Sequence, residues 1–513
     1  MKNVVMWAVS YFNWLWVPLA EELKKAYGSN IHFIVSYHQG IEDWKRLDTN
    51  GVIDSFTAVG DFFSDYDKLS EPSYEVYEKA KYYEGKYGTL VSDCLQCDRH
   101  LGRGFFPAGA GHPKSALSKK SDYLKSVNLF NKAFEFWEEY FREKKPDLII
   151  GAASSVVGKA FSSVAHRNNV PVRVLNTSGY KSFYYWGHSE YYDTPEIERN
   201  YKRIDDISRY ADEREISSVT RNVIGEHDYK KFAKYGSLST LTKRMVRKVG
   251  VHSYRRLKGI ISMGNYGLFD EIKCLYDIYR SLNRVDSIKT IEFDDLKNMS
   301  FVLYPLQEEP EAALGMFSPE FNEQLGTVEM IAKNLPAGTK LVVKEHIFGV
   351  GRRPKDFYST LKEIPNVEML SVYEYASKAA QFAKCVATIT STVGIEAVIM
   401  GVPVITFGVH NNYGFLHHVH LVKSWNELRP LLAKLSVEPD ADEKKRRRED
   451  GLRYLAALKA SSMDLSKSDC ADRKRGPATA EEREIFYSAL MRSLEFSGHE
   501  ERERKDKYTL HRY

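Results

Sequence analysis

Apolar, β-branched runs alternate with helix-patterned segments twice in this chain of 513 residues. No other feature of the sequence restricts the fold as strongly. In the first block VVMWAV (Val4–Val9) is followed by a helical pattern from Trp16 to Tyr27 that stops at Gly28. IHFIVSY and the helix start IEDWKRL come next. Further on, a long amphipathic helix runs from Tyr123 to Lys144, Pro146 stops it, and DLIIGAAS, VVGKAFSSVAHRNN and VPVRVLN continue the strand, helix, strand order. Parallel strands need crossover connections, and helices provide them, so this order predicts a parallel sheet covered on both faces. A second block begins at FVLYPLQ. It passes through a helix from Phe321 to Asn334, the strand KLVVKEH, a helix around Phe357 to Leu361, NVEMLS and a helix from Tyr373. It ends in VATITSTVGIEAVIMGVPVITFG, Val386 to Gly408. One hydrophobic core rarely serves a chain this long. The expected class is α/β: two Rossmann-like domains facing a cleft, with a charged C-terminal helical tail. The expected divisions are an N-terminal domain with a helical excursion at 1–270, a linker at 271–299, a C-terminal domain at 300–438 and the tail at 439–513.

In a parallel sheet all strands end at the same edge, and ligands sit beyond their carboxyl ends. Three strand ends of the second block carry polar groups. Gln307, Glu308, Glu309 and Glu311 follow FVLYPL; Lys344, Glu345 and His346 close KLVVKEH; Ser391 and Thr392 follow VATIT. Ser and Thr are good helix N-caps, which explains the last pair structurally. Read functionally, a helix N-terminus with free N–H groups and small hydroxyls beside an imidazole receives phosphate. His346, Ser391 and Thr392 are therefore the candidate phosphate donors. Lys344 is a weaker one, because side chains alternate along its strand. Glu396, one turn beyond Thr392, is placed to accept from ribose hydroxyls.

Composition narrows the rest. A net charge of +5 over this length does not indicate nucleic-acid binding. Five cysteines, mostly scattered, argue for a reducing compartment, and CLQC (Cys94–Cys97) has no second pair at zinc spacing. The apolar N-terminus is interrupted by Ser10 and Asn13, and Glu21–Glu22 stand where a cleavage site would be, so it reads as a first strand. No stretch is long and apolar enough to span a bilayer. A cytoplasmic protein is expected, with the charge runs EKKRRRED, KRG and EERERKDK as the candidate for peripheral contact with the inner membrane. There is no Walker A sequence and no GxGxxG after the first strand, which counts against a P-loop kinase and an ordinary dehydrogenase. No DxD-like motif stands at a strand end, and neither metal nor other cofactor is expected.

The series YPLQEEPE, LPAGTKLVVKEH, IPNVEML and ATITSTVGIEAVIMGVPVITFG resembles bacterial capsule and surface-polysaccharide biosynthesis proteins, a group that includes the Kdo transferases. The resemblance implies a GT-B fold and a CMP-activated sugar donor such as CMP-Kdo. Carried over residue by residue, it implies that Gln307 and Glu396 serve the nucleoside and that His346, Ser391 and Thr392 meet the phosphate. His346 is followed by Ile347 where the family has proline. Retaining members have an acidic residue after the first-domain strand, where this chain reads Asn176-Thr177-Ser178-Gly179.

The expected activity is glycosyl transfer from a nucleotide sugar to a glycan or lipid-linked saccharide. The alternatives are a UDP-sugar or polyol-phosphate transferase on the same fold, an epimerase, or a non-catalytic nucleotide- or glycan-binding assembly protein. Glu190 and Asp193, in GHSEYYDTPE, are the candidate catalytic carboxylates, and His112 is a weaker option.

Overall fold

A computed structural model of the chain describes residues 1–8, 12–63, 66, 71–102, 113–219, 232, 234–259, 265–285, 290–309, 311–468 and 475–495. His112, Pro310 and the EERERKDK run lie outside these residues. The strands of the first half are β1 (Asn3–Trp7), β2 (Asn30–Val35), β3 (Ser55–Ala58), β4 (Leu148–Ile150), β5 (Val172–Thr177) and β6 (Phe183–Gly187). Those of the second half are β7 (Phe301–Pro305), β8 (Lys340–Lys344), β9 (Val367–Leu370), β10 (Cys385–Thr388), β11 (Val404–Thr406) and β12 (Val419–Leu421), and β13 (Met463–Asp464) follows.

Two sheets result, as the two alternating blocks predict. The second has the order β12-β11-β10-β7-β8-β9 and is parallel throughout. The first has the order β13-β6-β5-β4-β1-β2-β3, with five parallel strands from β3 to β5. Every residue of β7, and Val4 to Met6 of β1, is buried, as expected for central strands covered by helices on both faces. The architecture is that of two Rossmann-like domains across a cleft.

The sequence reading misses one strand. It ends the first block at VPVRVLN, yet Phe183–Gly187 pairs antiparallel with β5 as β6. Its aromatic residues Phe183, Tyr185 and Trp186 are buried, and burial of large rings on an otherwise exposed sheet edge drives the pairing.

The C-terminal stretch is helical, as expected, and it is also docked. The helix Ala441–Ala460 begins with the charge run and then buries Tyr454, Leu455 and Leu458. It packs on the helix Pro195–Arg203, where Asn200 Nδ2 donates to Ser461 Oγ (2.8 Å) and Arg453 Nη1 to the Ile204 carbonyl (2.6 Å). After it, β13 adds an antiparallel edge strand to β6. The helix Ala480–Leu494 then packs on Asn13–Tyr27, with Phe486 fully buried 5.7 Å from the Trp14 ring. Arg173 of β5, itself buried, donates to the Ser493 carbonyl (2.7 Å) and hydroxyl (3.0 Å). The chain therefore returns from the second sheet to close the first.

Gly451 sits where the returning helix meets Thr392–Ile399. A Cβ there would lie 2.5 Å from the Ile399 carbonyl oxygen and 2.6 Å from that of Val398. By contrast, a Cβ at Gly250, in the helix Leu238–Leu257, would meet nothing within 4 Å. Gly451→Ala is expected to destabilise the fold by roughly 1–3 kcal/mol through forced separation of two helices. Gly250→Ala should stabilise it by up to about 1 kcal/mol through helix propensity. Denaturant unfolding of the two variants measures both.

Candidate functional site

The second sheet reverses its strand order between β7 and β10, so its crevice opens beyond the carboxyl ends of those two strands. A cavity of about 630 Å³ lies there, bounded on the other side by residues of the first half. Its lining includes Gln307, Lys344, His346, Ser391, Thr392 and Glu396, all six of the binding residues expected from sequence. Asp193 also lines it, whereas Glu190 does not.

Gln307 ties the strand ends together. Its backbone N–H donates to Gln324 Oε1 (2.7 Å), and Gln324 Nε2 donates back to the Gln307 carbonyl (2.9 Å). Its own side chain then donates from Nε2 to Thr390 Oγ1 (2.9 Å), bridging the end of β7 to the end of β10. Its Oε1 is buried without a protein hydrogen-bond partner. At the end of β10, Ser391 takes the N-cap position of Thr392–Ile399, but no side chain caps that helix. Instead the Thr388 hydroxyl donates to Ser391 Oγ (2.8 Å) and accepts from the Ser391 N–H (3.1 Å). Thr388 thereby turns the chain sharply into the helix, and the first turn faces the cavity without a capping side chain.

His346 follows β8 as the N-cap of a single 3-10 turn, Ile347–Gly349, and is exposed to the cleft. The protein packed around it lowers the imidazole pKa, chiefly by desolvation. Lys344 is different. Its ammonium is buried and donates to the carbonyls of Glu345 (2.7 Å) and Val372 (3.1 Å), and burial pulls its pKa down to about 8. It braces the loop that carries His346 as well as lining the cavity.

Beneath these loops lies Arg353, which the sequence reading did not single out. Its guanidinium is buried and donates from Nε to Glu345 Oε2 and from Nη2 to Glu345 Oε1 (both 2.9 Å), and it pairs with Glu309. Nη2 also reaches the Gln307 carbonyl (2.6 Å), and Tyr358 OH donates to Glu345 Oε2 (2.9 Å). Burial opposes the guanidinium charge, but the Glu345 carboxylate more than offsets this and raises its pKa. Glu308 pairs with Arg352 in parallel. A signal was present in the sequence: the acidic pair of LQEEP answers the basic pair of GRRP.

The first half contributes the loop after β6. Glu190 is buried between Lys159 Nζ (3.2 Å) and His166 Nε2 (2.7 Å). Burial alone would raise its pKa, but the His166 and Lys159 charges hold it well below the usual carboxylate range. The structure thus makes Glu190 part of an internal ion cluster that fixes the loop, which corrects the expectation that it faces the cleft. Asp193 Oδ1 lies 3.5 Å from His410 Nδ1, across the cleft on the loop after β11. The His410 ring stacks on Tyr191, with centroids 3.9 Å apart and planes 6° apart. Asn412, from the same loop, accepts from the Thr194 N–H (3.0 Å) and donates to Tyr185 OH (2.9 Å). Sequence reasoning missed His410, because nothing local links VHNN to a loop more than 200 positions earlier. Asn176 also lines the cavity and donates from Nδ2 to Tyr185 OH (3.3 Å).

The thiols of Cys94 and Cys97 are buried and their pKa values are raised by desolvation, with the Cys97 thiol donating to the Cys94 carbonyl (3.1 Å). This is a packing arrangement and not that of a reactive pair.

Residues 261–437, roughly a third of the chain, match the family described as capsule polysaccharide biosynthesis protein. The match spans all four segments on which the resemblance was read, from YPLQEEPE to ATITSTVGIEAVIMGVPVITFG. No curated protein matches the sequence. Among solved structures the chain is similar to Thermosulfurimonas dismutans KpsC, a beta Kdo 2,4 transferase, at 12% identity and a TM-score of 0.29 over 63% of this chain and 85% of that one. It is also similar to a putative UDP-N-acetylglucosamine 2-epimerase from Listeria monocytogenes (10%, 0.26, 93% and 99%). A third is MnaA from S. aureus in complex with UDP (10%, 0.29, 93% and 100%). At these TM-scores the likenesses carry no argument about substrate.

Glu396 yields a prediction that depends on pH. Burial pushes its carboxyl up to about 8, so the folded state holds this proton where an unfolded chain, with the ordinary glutamate pKa of about 4.5, has lost it. Stability from this group is full below the unfolded value and is lost as pH rises through the folded one. Glu396→Gln should therefore match wild type in Tm at pH 5 and exceed it at pH 9. Parallel Tm curves across that range would refute the assignment.

Proposed function

We propose, for a chain whose second half carries a capsule polysaccharide biosynthesis segment, a metal-independent glycosyltransferase that holds a nucleotide-activated sugar against the second sheet. The observation that carries the reading is the convergence of Gln307, His346 and the uncapped Ser391–Thr392 helix start at the strand-order reversal of that sheet, inside one interdomain cavity. Free N–H groups and the helix dipole favour an anion at this point. His346, Ser391 and Thr392 donate to the phosphate of the leaving nucleotide, whose negative charge grows as the sugar–phosphate bond breaks. Gln307 and Glu396 contact the nucleoside. Glu396, neutral at pH 7, donates a hydrogen bond as well as accepting one. Lys344 supports the turn from below.

The acceptor, a glycan or lipid-linked saccharide, enters from the side of Asn176 and Asp193. Its hydroxyl attacks the anomeric carbon, and the sugar–phosphate bond breaks with its electrons on the phosphate. The hydroxyl proton passes to the Asp193–His410 pair, where the carboxylate stabilises the imidazolium. The Tyr191 stack and the Asn412 bridges hold the two loops in register and exclude water, which limits donor hydrolysis. The donor is a CMP-sugar such as CMP-Kdo. Support for this comes from the resemblance of YPLQEEPE, LPAGTKLVVKEH and ATITSTVGIEAVIMGVPVITFG to the group that includes the Kdo transferases, and a UDP-sugar is the alternative.

Calorimetry with CMP and UDP separates the two donors: binding of CMP without UDP is expected, and the reverse would replace the CMP-sugar reading. His346→Ala should weaken nucleotide binding by roughly 1–3 kcal/mol, the value of a hydrogen bond to a charged group. Unchanged affinity in a folded variant removes His346 from the site. Asp193→Asn and His410→Gln should each abolish most turnover while donor affinity stays at the wild-type level. Full activity in both would place the base elsewhere.

A further inference from the structure

The helix Leu238–Leu257, in the charged region between the two sheets, has a face that no other element covers among the described residues. It packs antiparallel on Leu268–Val285. Asn283 Nδ2 donates to the Gly236 carbonyl (3.2 Å) at one end, and His252 Nε2 lies 2.7 Å from Glu271 Oε2 at the other. Leu241 alone of the helix is buried. Round the helix from it Leu238 is 65% exposed, Val246 66%, Val249 44% and Leu257 86%. At 3.6 residues per turn these four positions fall within about 100° of one another, the width of an amphipathic helix's apolar stripe. Thr242, Ser253 and Arg256 share this sector and break it into separate apolar patches, yet large apolar side chains exposed together on one helix still call for an explanation that singly scattered ones do not.

The charges beside these side chains indicate their partner. The helix carries Lys243, Arg244, Lys248, Arg247, Arg255 and Arg256 and not one carboxylate. Lys248 pairs with Glu271, and Arg244 lies over the Tyr235 ring. Among the described residues no carboxylate lies within ion-pair distance of Lys243, Arg247, Arg255 or Arg256. The other basic run behaves differently. Lys444, Lys445, Arg446, Arg447 and Arg448 each sit 2.5–3.8 Å from a carboxylate, so that run offers no bare cationic surface. A second copy of the chain is a poor match for this face, since twofold pairing would bring like charges together.

We propose that the Leu238–Leu257 helix docks on an anionic lipid surface, its exposed apolar side chains entering the headgroup boundary and its long basic side chains reaching round to lipid phosphates. Such binding combines apolar burial with attraction between basic residues and anionic headgroups, and it weakens with salt.

Sedimentation of the full chain with vesicles tests this without donor or acceptor, and so stands apart from the transferase reading. Binding is expected to vesicles of phosphatidylglycerol and phosphatidylcholine, not to phosphatidylcholine alone, and is expected to fall at high salt. The double variant Val246→Glu/Leu257→Glu and the double variant Lys243→Glu/Arg247→Glu should each weaken it by about tenfold or more. Both should keep the wild-type Tm, because all four side chains are outside the core. Lys445→Glu, in the C-terminal run, should leave binding unchanged. Absent binding, equal binding to both vesicle types, or binding indifferent to the two double variants overturns the proposal. A concentration-dependent dimer that Val246→Glu/Leu257→Glu dissolves, without vesicle binding, would assign the face to a second copy and overturn it equally.

Discussion

One buried guanidinium sets the geometry of the nucleotide side of the cleft. Arg353 bonds both oxygens of Glu345, pairs with Glu309 and reaches the Gln307 carbonyl, so the loops after β7 and β8 share a single anchor. Removing three charges from water costs several kcal/mol per ion, and their mutual attraction restores that only where geometry is good and remaining sites are satisfied. Here Tyr358 donates to Glu345 and the Glu323 N–H donates to Glu309 (3.1 Å). The net contribution to stability is therefore modest. The cluster instead ties the two loops to each other, because one guanidinium bonds groups on both. His346, next to Glu345, and the Gln307 side chain inherit their positions from it.

The other wall of the cleft is held by contacts that cross between halves. His410 and Asn412 come from the second sheet, while Tyr191, Asp193 and Thr194 come from the first. The returning C-terminal segment reinforces this from behind. Its helix Ala441–Ala460 touches both Pro195–Arg203 and Thr392–Ile399, and Phe486 finally seals the first core. Relative motion of the halves would have to break the His410 stack and the Asn412 bridges, while the Gly451 contact would act as a close pivot beside the anion-facing helix.

Legibility in the sequence followed the range of each interaction. Gln307, His346, Ser391 and Thr392 were found because each stands at the end of an apolar run, and a parallel sheet brings such ends together. Arg353 left a weaker trace in EEP and GRRP, since a buried carboxylate pair demands a cation but not one at a fixed separation. Glu190 was misplaced: the segment GHSEYYDTPE contains three carboxylates, Glu190, Asp193 and Glu196, and only their partners distinguish them. Lys159 and His166 lie on the helix Val156–Arg167 and draw Glu190 inward, leaving Asp193 toward the cavity. β6 was missed because its aromatics gain their reason to pair only when β5 is already an edge.

What the amino-acid order determined by itself is the pair of parallel sheets and the rim of polar residues at their ends, because periodicity and strand polarity are local properties that parallel pairing converts into position. Only the tertiary structure decided which side chains work together across that rim. The Asp193–His410 contact, the Arg353 anchor and the return of the C-terminal helices to the first sheet join residues that are distant in sequence. Their free energy comes from burying charge and apolar surface jointly, and no local pattern encodes the identity of a partner.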